Sequence, residues 1–202
     1  MNALYTIGHS NHDAAHFLSL LTTHGVTAIV DVRSSPYSKY VPHFSKDNLQ
    51  HILRDAGIEY IFLGRELGAR REEESCYVAN QARYDGIAML PIFRAALDQV
   101  IAESQVRAIA LMCAEGDPLN CHRTMLVCRE LLRLCPSLPI AHILPDGSCE
   151  PHADTLNRLV AHLKLGPELF GELGSREGLV ERACDIQAER IAYARAAPVR
   201  LP

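Results

Sequence analysis

The run Thr27-Ala28-Ile29-Val30-Asp31-Val32-Arg33 decides the architecture. It is rich in β-branched residues, shows no helical spacing, and is bounded by Gly25 on one side and Ser34-Ser35-Pro36 on the other. Such a run reads as a strand buried on both faces, the kind found in parallel sheets. Toward the N-terminus, Phe17, Leu18, Leu20 and Leu21 recur at helical spacing until Gly25 stops them, and Leu4 to Ile7 is a short apolar run ending in Gly8-His9-Ser10-Asn11. That is strand, then helix. Toward the C-terminus, Ser45 caps a helix carrying Leu49, Ile52 and Leu53, Gly57 closes it, and Ile58 to Leu63 makes a third strand.

The alternation continues. Gly64 to Gly86 carries Arg65, Arg70, Arg71 and Glu72-Glu73-Glu74 and reads as a long polar surface excursion. Helical spacing resumes at Leu90, Phe93, Leu97, Val100 and Ile101. A fourth strand spans about Arg107 to Met112, a helix runs from about His122 to Leu134, a fifth strand covers Ile140 to Leu144, and Leu156, Leu159, Val160 and Leu163 mark another helix. The stretch from Ala183 to Ala194 gives a final, more polar one. This order predicts a Rossmann-like three-layer α/β fold with about five mainly parallel strands and helices on both faces. The expected organisation is one α/β domain over residues 1–165 and a helical extension over 166–202.

Composition narrows the function classes. Of the 202 residues, 48% are hydrophobic and 22% charged, which fits a chain that buries a full core without disulfides or structural metal. The formal charge of −4 argues against a broad basic face that wraps nucleic acid. No apolar segment is long enough to span a membrane, and the opening residues lack a basic start followed by a long apolar run, so the expected location is the cytoplasm. The seven cysteines make no disulfide framework. Cys128 and Cys135 fall on the apolar side of a helix as small core residues, and Cys76, Cys149 and Cys184 have no neighbouring chemistry.

In a parallel sheet, ligands bind beyond the carboxyl ends of the strands. Three polar segments sit there: Gly8-His9-Ser10-Asn11, Asp31-Val32-Arg33-Ser34-Ser35-Pro36, and Cys113-Ala114-Glu115-Gly116-Asp117-Pro118-Leu119-Asn120-Cys121-His122-Arg123. A pocket on one rim explains all three. The start of the helix after Cys121 favours an anion, with Arg123 adding a forked donor and the same field favouring the Cys121 thiolate. Arg33, Arg123, His122, His9, Ser10 and Lys39 are the candidate ligand-binding residues; Cys121, Cys113, Glu115 and Asp31 are the candidate catalytic ones, as nucleophile, metal ligand or proton carrier. The plainer readings are a helix cap at Asn120 or Asp117 and a structural Asp31–Arg33 ion pair.

Known loops do not fit. A phosphatase or rhodanese loop needs Arg six positions after Cys, whereas Arg123 follows Cys113 by ten and Cys121 by two. Neither G-x-G-x-x-G nor G-x-x-x-x-G-K occurs. Zinc ligands of suitable chemistry are present in Cys113, Cys121 and His122, with His142 or His152 as a further donor, but without a C-x-x-C knuckle. The loop from Ser34 to Phe44, with Tyr37, Lys39 and Tyr40, either covers a ligand, stacks a base, or braces the body.

Thr6-Ile7-Gly8-His9-Ser10-Asn11, Val30-Asp31-Val32-Arg33 with Pro36 and Ser38-Lys39, Tyr60 to Gly68, and Leu111-Met112-Cys113-Ala114-Glu115 followed by Cys121-His122-Arg123 and His142-Ile143 together resemble the domain of unknown function 488 family. The resemblance covers about Thr6 to His152 and departs from the family at Gly64-Arg65-Glu66, where relatives are richer in glycine. It implies a compact α/β fold, marks Gly8, His9, Asp31, Arg33, Cys113, Glu115, Cys121, His122 and Arg123 as matching the pattern, and supplies no substrate. Three functions stay open: an enzyme, hydrolase or transferase, acting on a phosphorylated small molecule or nucleotide, free or within nucleic acid; a non-catalytic nucleotide or nucleic-acid binding module; and a Cys/His metal site that braces the loops. Oligomeric state and the role of the last residues are not set by the sequence.

Overall fold

The computed structural model describes residues 3–166 and 175–196. Five strands run parallel: β1 (Leu4–Gly8), β2 (Ala28–Asp31), β3 (Glu59–Phe62), β6 (Ile109–Cys113) and β7 (Ile140–Ile143). A short β8 (Cys149–Pro151) pairs antiparallel on the edge of β7, and the order across the sheet is β3-β2-β6-β1-β7-β8. The edge strand was not expected. It arises because Asp146-Gly147 turns the chain straight back, with Gly147 at φ +87.

Period-two side-chain alternation divides the strands between two cores. On one face Ile7, Ile29, Ala110, Met112 and Ile143 pack with α1 (Ala14–Thr23) and α2 (Lys46–Asp55) through Phe17, Leu21, Leu49 and Leu53. On the other face Leu4, Val30, Val32, Ile109 and Leu111 pack with α5 (Pro91–Val106) through Phe93, Leu97 and Val100, and with Leu126, Val127 and Leu131. The result is a three-layer α/β fold. Among the described residues no helix is long and apolar enough to cross a membrane.

The segment after β6 begins its helix as a π-helical turn, Arg123–Cys128, whose six residues are all buried, and continues as α6 (Arg129–Leu134). A π turn widens the helix locally and is frequent at functional sites.

The polar stretch from Gly64 is not a surface excursion. It folds into α3 (Gly64–Leu67), a hairpin of β4 (Tyr77–Val78) and β5 (Gln81–Ala82), and α4 (Tyr84–Ala88), with Leu67, Cys76 and Ile87 in the core. The hairpin turn places Ala79 at φ 48 and Asn80 at φ 68. Such turns favour Asn-Gly, so Ala-Asn gave no recognisable signal.

Residues 175–196 also join the body. Helix α8 (Arg176–Ile191) packs on α7 (His152–His162) and the π turn, with Ala183, Cys184 and Ala188 against Leu119, Met125 and Leu159. Past α8 the chain returns to the hairpin, where Ala82 N–H donates to Tyr193 O at 2.8 Å and Arg195 N–H to Asn80 O at 2.8 Å.

Candidate functional site

Strands β2, β6 and β1 are neighbours, so their exits converge. The exit of β1 stays beside that of β6: His9 N–H donates to Cys113 O at 2.9 Å and Ser10 N–H to Ala114 O at 2.8 Å. The two exits touch at Gly8, where a Cβ would stand 1.8 Å from the Glu115 carbonyl oxygen. The chain after β3 lies just as close to β2. A Cβ on Gly64 would meet the Arg33 carbonyl oxygen at 2.0 Å.

A cleft of about 370 Å³ opens at this rim. Its floor includes Cys113, Glu115 and His122, and its walls carry His9, Arg33, Ser34, Ser35, Arg70, Tyr84 and Tyr193. Arg33 is gripped from behind. Asp31 is fully buried and accepts from Arg33 Nε at 2.9 Å, Arg33 Nη2 at 2.7 Å, the Arg33 backbone N–H at 3.0 Å and the Tyr60 hydroxyl at 2.7 Å. Arg33 Nη1 donates to His9 Nε2 at 3.1 Å, which requires His9 to carry its proton on Nδ1, where it donates to Ser10 O at 2.8 Å. The His9 ring stacks on Phe44 at 4.4 Å. Burial opposes the Arg33 charge, but Asp31 outweighs it and raises the guanidinium pKa. Asp31 therefore positions Arg33: wholly buried and outside the cleft's lining, it meets the cleft through that guanidinium.

His122 Nε2 donates to Val32 O at 3.1 Å, so Nδ1, the nitrogen that gains or loses the proton, faces Cys113 Sγ at 3.6 Å and Cys121 Sγ at 3.9 Å. The Cys121 thiol donates to Glu115 Oε2 at 3.1 Å. Burial alone would raise the Cys121 thiol, yet the Cys113 thiol, the Arg123 charge and the His122 ring outweigh it and hold Cys121 well below the ordinary thiol range. Cys113 moves the other way, raised by its interaction with Cys121 and by burial. The pair titrates together, Cys121 first. Burial and the neighbouring Cys121 raise Glu115; His122, which burial would lower, is raised by Cys121 and Glu115.

Several expected roles change. Arg123 is wholly buried and spends its guanidinium on Thr6 Oγ1 at 3.2 Å, Glu115 O at 2.5 Å and Gly116 O at 3.2 Å. It braces the turn beneath the floor and takes no place on the cleft wall, because the π turn directs it inward rather than toward the rim. Cys121 sits behind Cys113, only 1% exposed. Ser10, at φ 47, and the exposed Lys39 also stand outside the cleft's lining, which takes Tyr37 and Ser38 from the same loop as Lys39. Cys128 is the apolar-packed cysteine expected of it, its thiol pushed up to about 12 by burial.

His142 and His152 lie in a separate buried file rather than with the cysteine pair. Arg123 Nε donates to Thr6 Oγ1; Thr6 Oγ1 is 2.7 Å from His142 Nδ1, and His142 Nε2 is 3.0 Å from His152 Nδ1. Thr6 Oγ1 accepts from the guanidinium, and the low pKa values of both rings keep them neutral at neutral pH. Burial pulls His142 down to about 2 and His152 to about 4, and burial with the Arg33 charge pulls His9 to about 4. An unfolded ring takes its proton near its ordinary 6.5 whereas the folded ring does not, so the unfolded state binds more protons in between. Stability is accordingly expected to fall as pH drops below 6.5 toward 4, by about 2 kcal/mol per ring at pH 5. Urea unfolding across that range reads it; a midpoint unchanged between pH 7 and 5 would contradict it.

Sequence reasoning overlooked Tyr84, Tyr193 and the role of Arg70, whose guanidinium lies over the Tyr193 ring at 4.9 Å. They come from the polar segment and the tail, both read as peripheral. Isolated tyrosines in otherwise polar stretches were the available signal. No curated protein and no solved structure matches the chain. The family model described as Domain of unknown function DUF488 matches residues 13–129, which takes in Asp31, Arg33, Cys113, Glu115, Cys121, His122 and Arg123 and stops short of His9 and His142. The chain belongs to the DUF488 family.

Proposed function

We propose that the cleft binds a phosphorylated or nucleotide-like ligand and that the chain is an enzyme acting on it, a hydrolase or a transferase. The observation that carries this reading is Arg33. Asp31 and His9 occupy three of its five N–H groups, fixing the guanidinium in one pose on a cleft wall and leaving two donors without a partner among the described residues. Arg70, Ser34 and Ser35 add donors on the same wall, and Tyr84 and Tyr193 offer aromatic surface for a base. The volume falls in the range of small-molecule sites. Cys113, His122 and Glu115 form the reactive floor, with Cys121 directly behind it, and the thiol, imidazole and carboxyl groups lie within hydrogen-bond reach of one another.

Adenosine monophosphate is the probe. Calorimetry at low salt is expected to give a Kd below about 1 mM, and Arg70→Ala to weaken it about tenfold, the worth of one charge-assisted contact. Phosphorus NMR of nucleoside mono-, di- and triphosphates incubated with the protein reads turnover, expected to vanish in His122→Ala. Binding of neither adenosine monophosphate nor inorganic phosphate would end this reading. The non-catalytic module draws its support from Tyr37 and Tyr40, 64% and 97% exposed beside the cleft. Binding without turnover, steeply salt-dependent on single-stranded DNA, would favour it.

A further inference from the structure

We propose that Cys113, Cys121 and His122 form a site for a thiophilic divalent cation of the zinc class, with one coordination position open to the cleft. The two sulfurs and the ring nitrogen lie within 4.8 Å of one another. His122 Nδ1 stands 3.6 Å from one sulfur and 3.9 Å from the other. Those are the separations of donors about 2.0 to 2.3 Å from one ion at near-tetrahedral angles.

The surroundings are those of a ligand set. A metal-binding imidazole donates its second nitrogen to a carbonyl or carboxylate, which fixes the ring and turns the other lone pair to the ion. His122 does this through Nε2 and Val32 O at 3.1 Å. A metal-bound thiolate is steadied by backbone N–H groups and nearby positive charge. Cys121 Sγ accepts from the Arg123 N–H at 3.4 Å, and the Arg123 guanidinium is buried beneath the same turn, held by Glu115 O and Gly116 O. Cys128, also in the core, takes no part in this cluster: the metal-ligand atoms that gather are those of Cys113, Cys121 and His122.

The ligand set is incomplete on one side. Cys113 and His122 line the cleft while Cys121 lies behind them, so the unfilled direction points into the cleft, flanked by Glu115. Three protein ligands and one open position describe a catalytic rather than a bracing ion. The incoming ligand would be a water or an anionic oxygen, and for its identity alone this inference rests on the reading of the cleft given above.

The test uses the full chain, reduced and loaded with cobalt(II) without any nucleotide. One ion per chain is expected after gel filtration, with thiolate-to-cobalt charge-transfer absorption and the visible bands of four-coordinate cobalt. Cys113→Ser and Cys121→Ser should each weaken binding by more than the roughly 10- to 100-fold loss typical of an outer partner, and Cys149→Ser should leave it unchanged. Inorganic phosphate should shift the visible bands by entering the open position. X-ray absorption of zinc-loaded wild-type protein needs no variant and should show two sulfurs and one imidazole nitrogen. Substoichiometric cobalt on fully reduced protein, full binding by the double Cys113→Ser, Cys121→Ser variant, or a metal shell without sulfur would overturn the proposal. Adenosine monophosphate binding by metal-free protein is measured separately, so either reading can fail while the other stands.

Discussion

Asp31→Ala is expected to remove about 3 to 5 kcal/mol of folding stability, much of what a domain of this size possesses. The side chain is wholly buried and satisfies two Arg33 nitrogens, the Arg33 backbone N–H and the Tyr60 hydroxyl. Alanine leaves a guanidinium that is itself 5% exposed without its counter-charge, and the Tyr60 hydroxyl without its acceptor. The loss comes from stranding the remaining charge, not from the intrinsic worth of the pair, so Asp31→Ala combined with Arg33→Met should recover part of it. Urea unfolding of the single and double variants measures both quantities. A single variant within about 1 kcal/mol of wild type would show that water reaches Arg33.

Gly8→Ala is the second severe change. One methyl group must enter a space where the Glu115 carbonyl oxygen would be 1.8 Å away and its carbon 2.6 Å away. These are backbone atoms. They cannot swing aside like a flexible side chain, and Arg123 pins the same carbonyl from below. Either β1 withdraws from β6 or the turn at 115–116 lifts off the sheet, and each disturbs the cleft floor as well as the core. A loss on the order of 3 kcal/mol or more is expected, beyond ordinary overpacking, together with loss of adenosine monophosphate binding. Wild-type stability with intact binding would contradict the close approach of the two loops.

Much of this was legible beforehand because the informative residues sit where a parallel sheet must present them. Val30 and Val32 alternate with Ile29, both sides are apolar, and the polar residues begin only as the strand ends. Strand order was not legible. That β6 inserts between β2 and β1 is settled by which helix packs where, a long-range choice that local patterning does not encode. This insertion brings Arg33 to His9 and Val32 to His122. The directions of the arginines were equally hidden. Arg33 and Arg123 look alike in sequence, but one is held at the rim by Asp31, while the other is drawn under the sheet by two carbonyls and Thr6. The cleft's aromatic wall escaped notice because Tyr84, which opens α4 just after the hairpin, and Tyr193 belong to segments joined only in the fold, where the chain after α8 bonds to the hairpin.

The hydrogen-bonded file from Arg123 through Thr6 and His142 to His152 implies a shared fate for its members. The facing nitrogens His142 Nε2 and His152 Nδ1, 3.0 Å apart, have room for one proton between them, so a charge on one ring is felt by the other. A second proton on that pair of nitrogens would set two donors face to face. The two imidazoles should consequently titrate as a coupled pair, their ring-nitrogen resonances frozen across neutral pH and moving only in acid, His152 before His142.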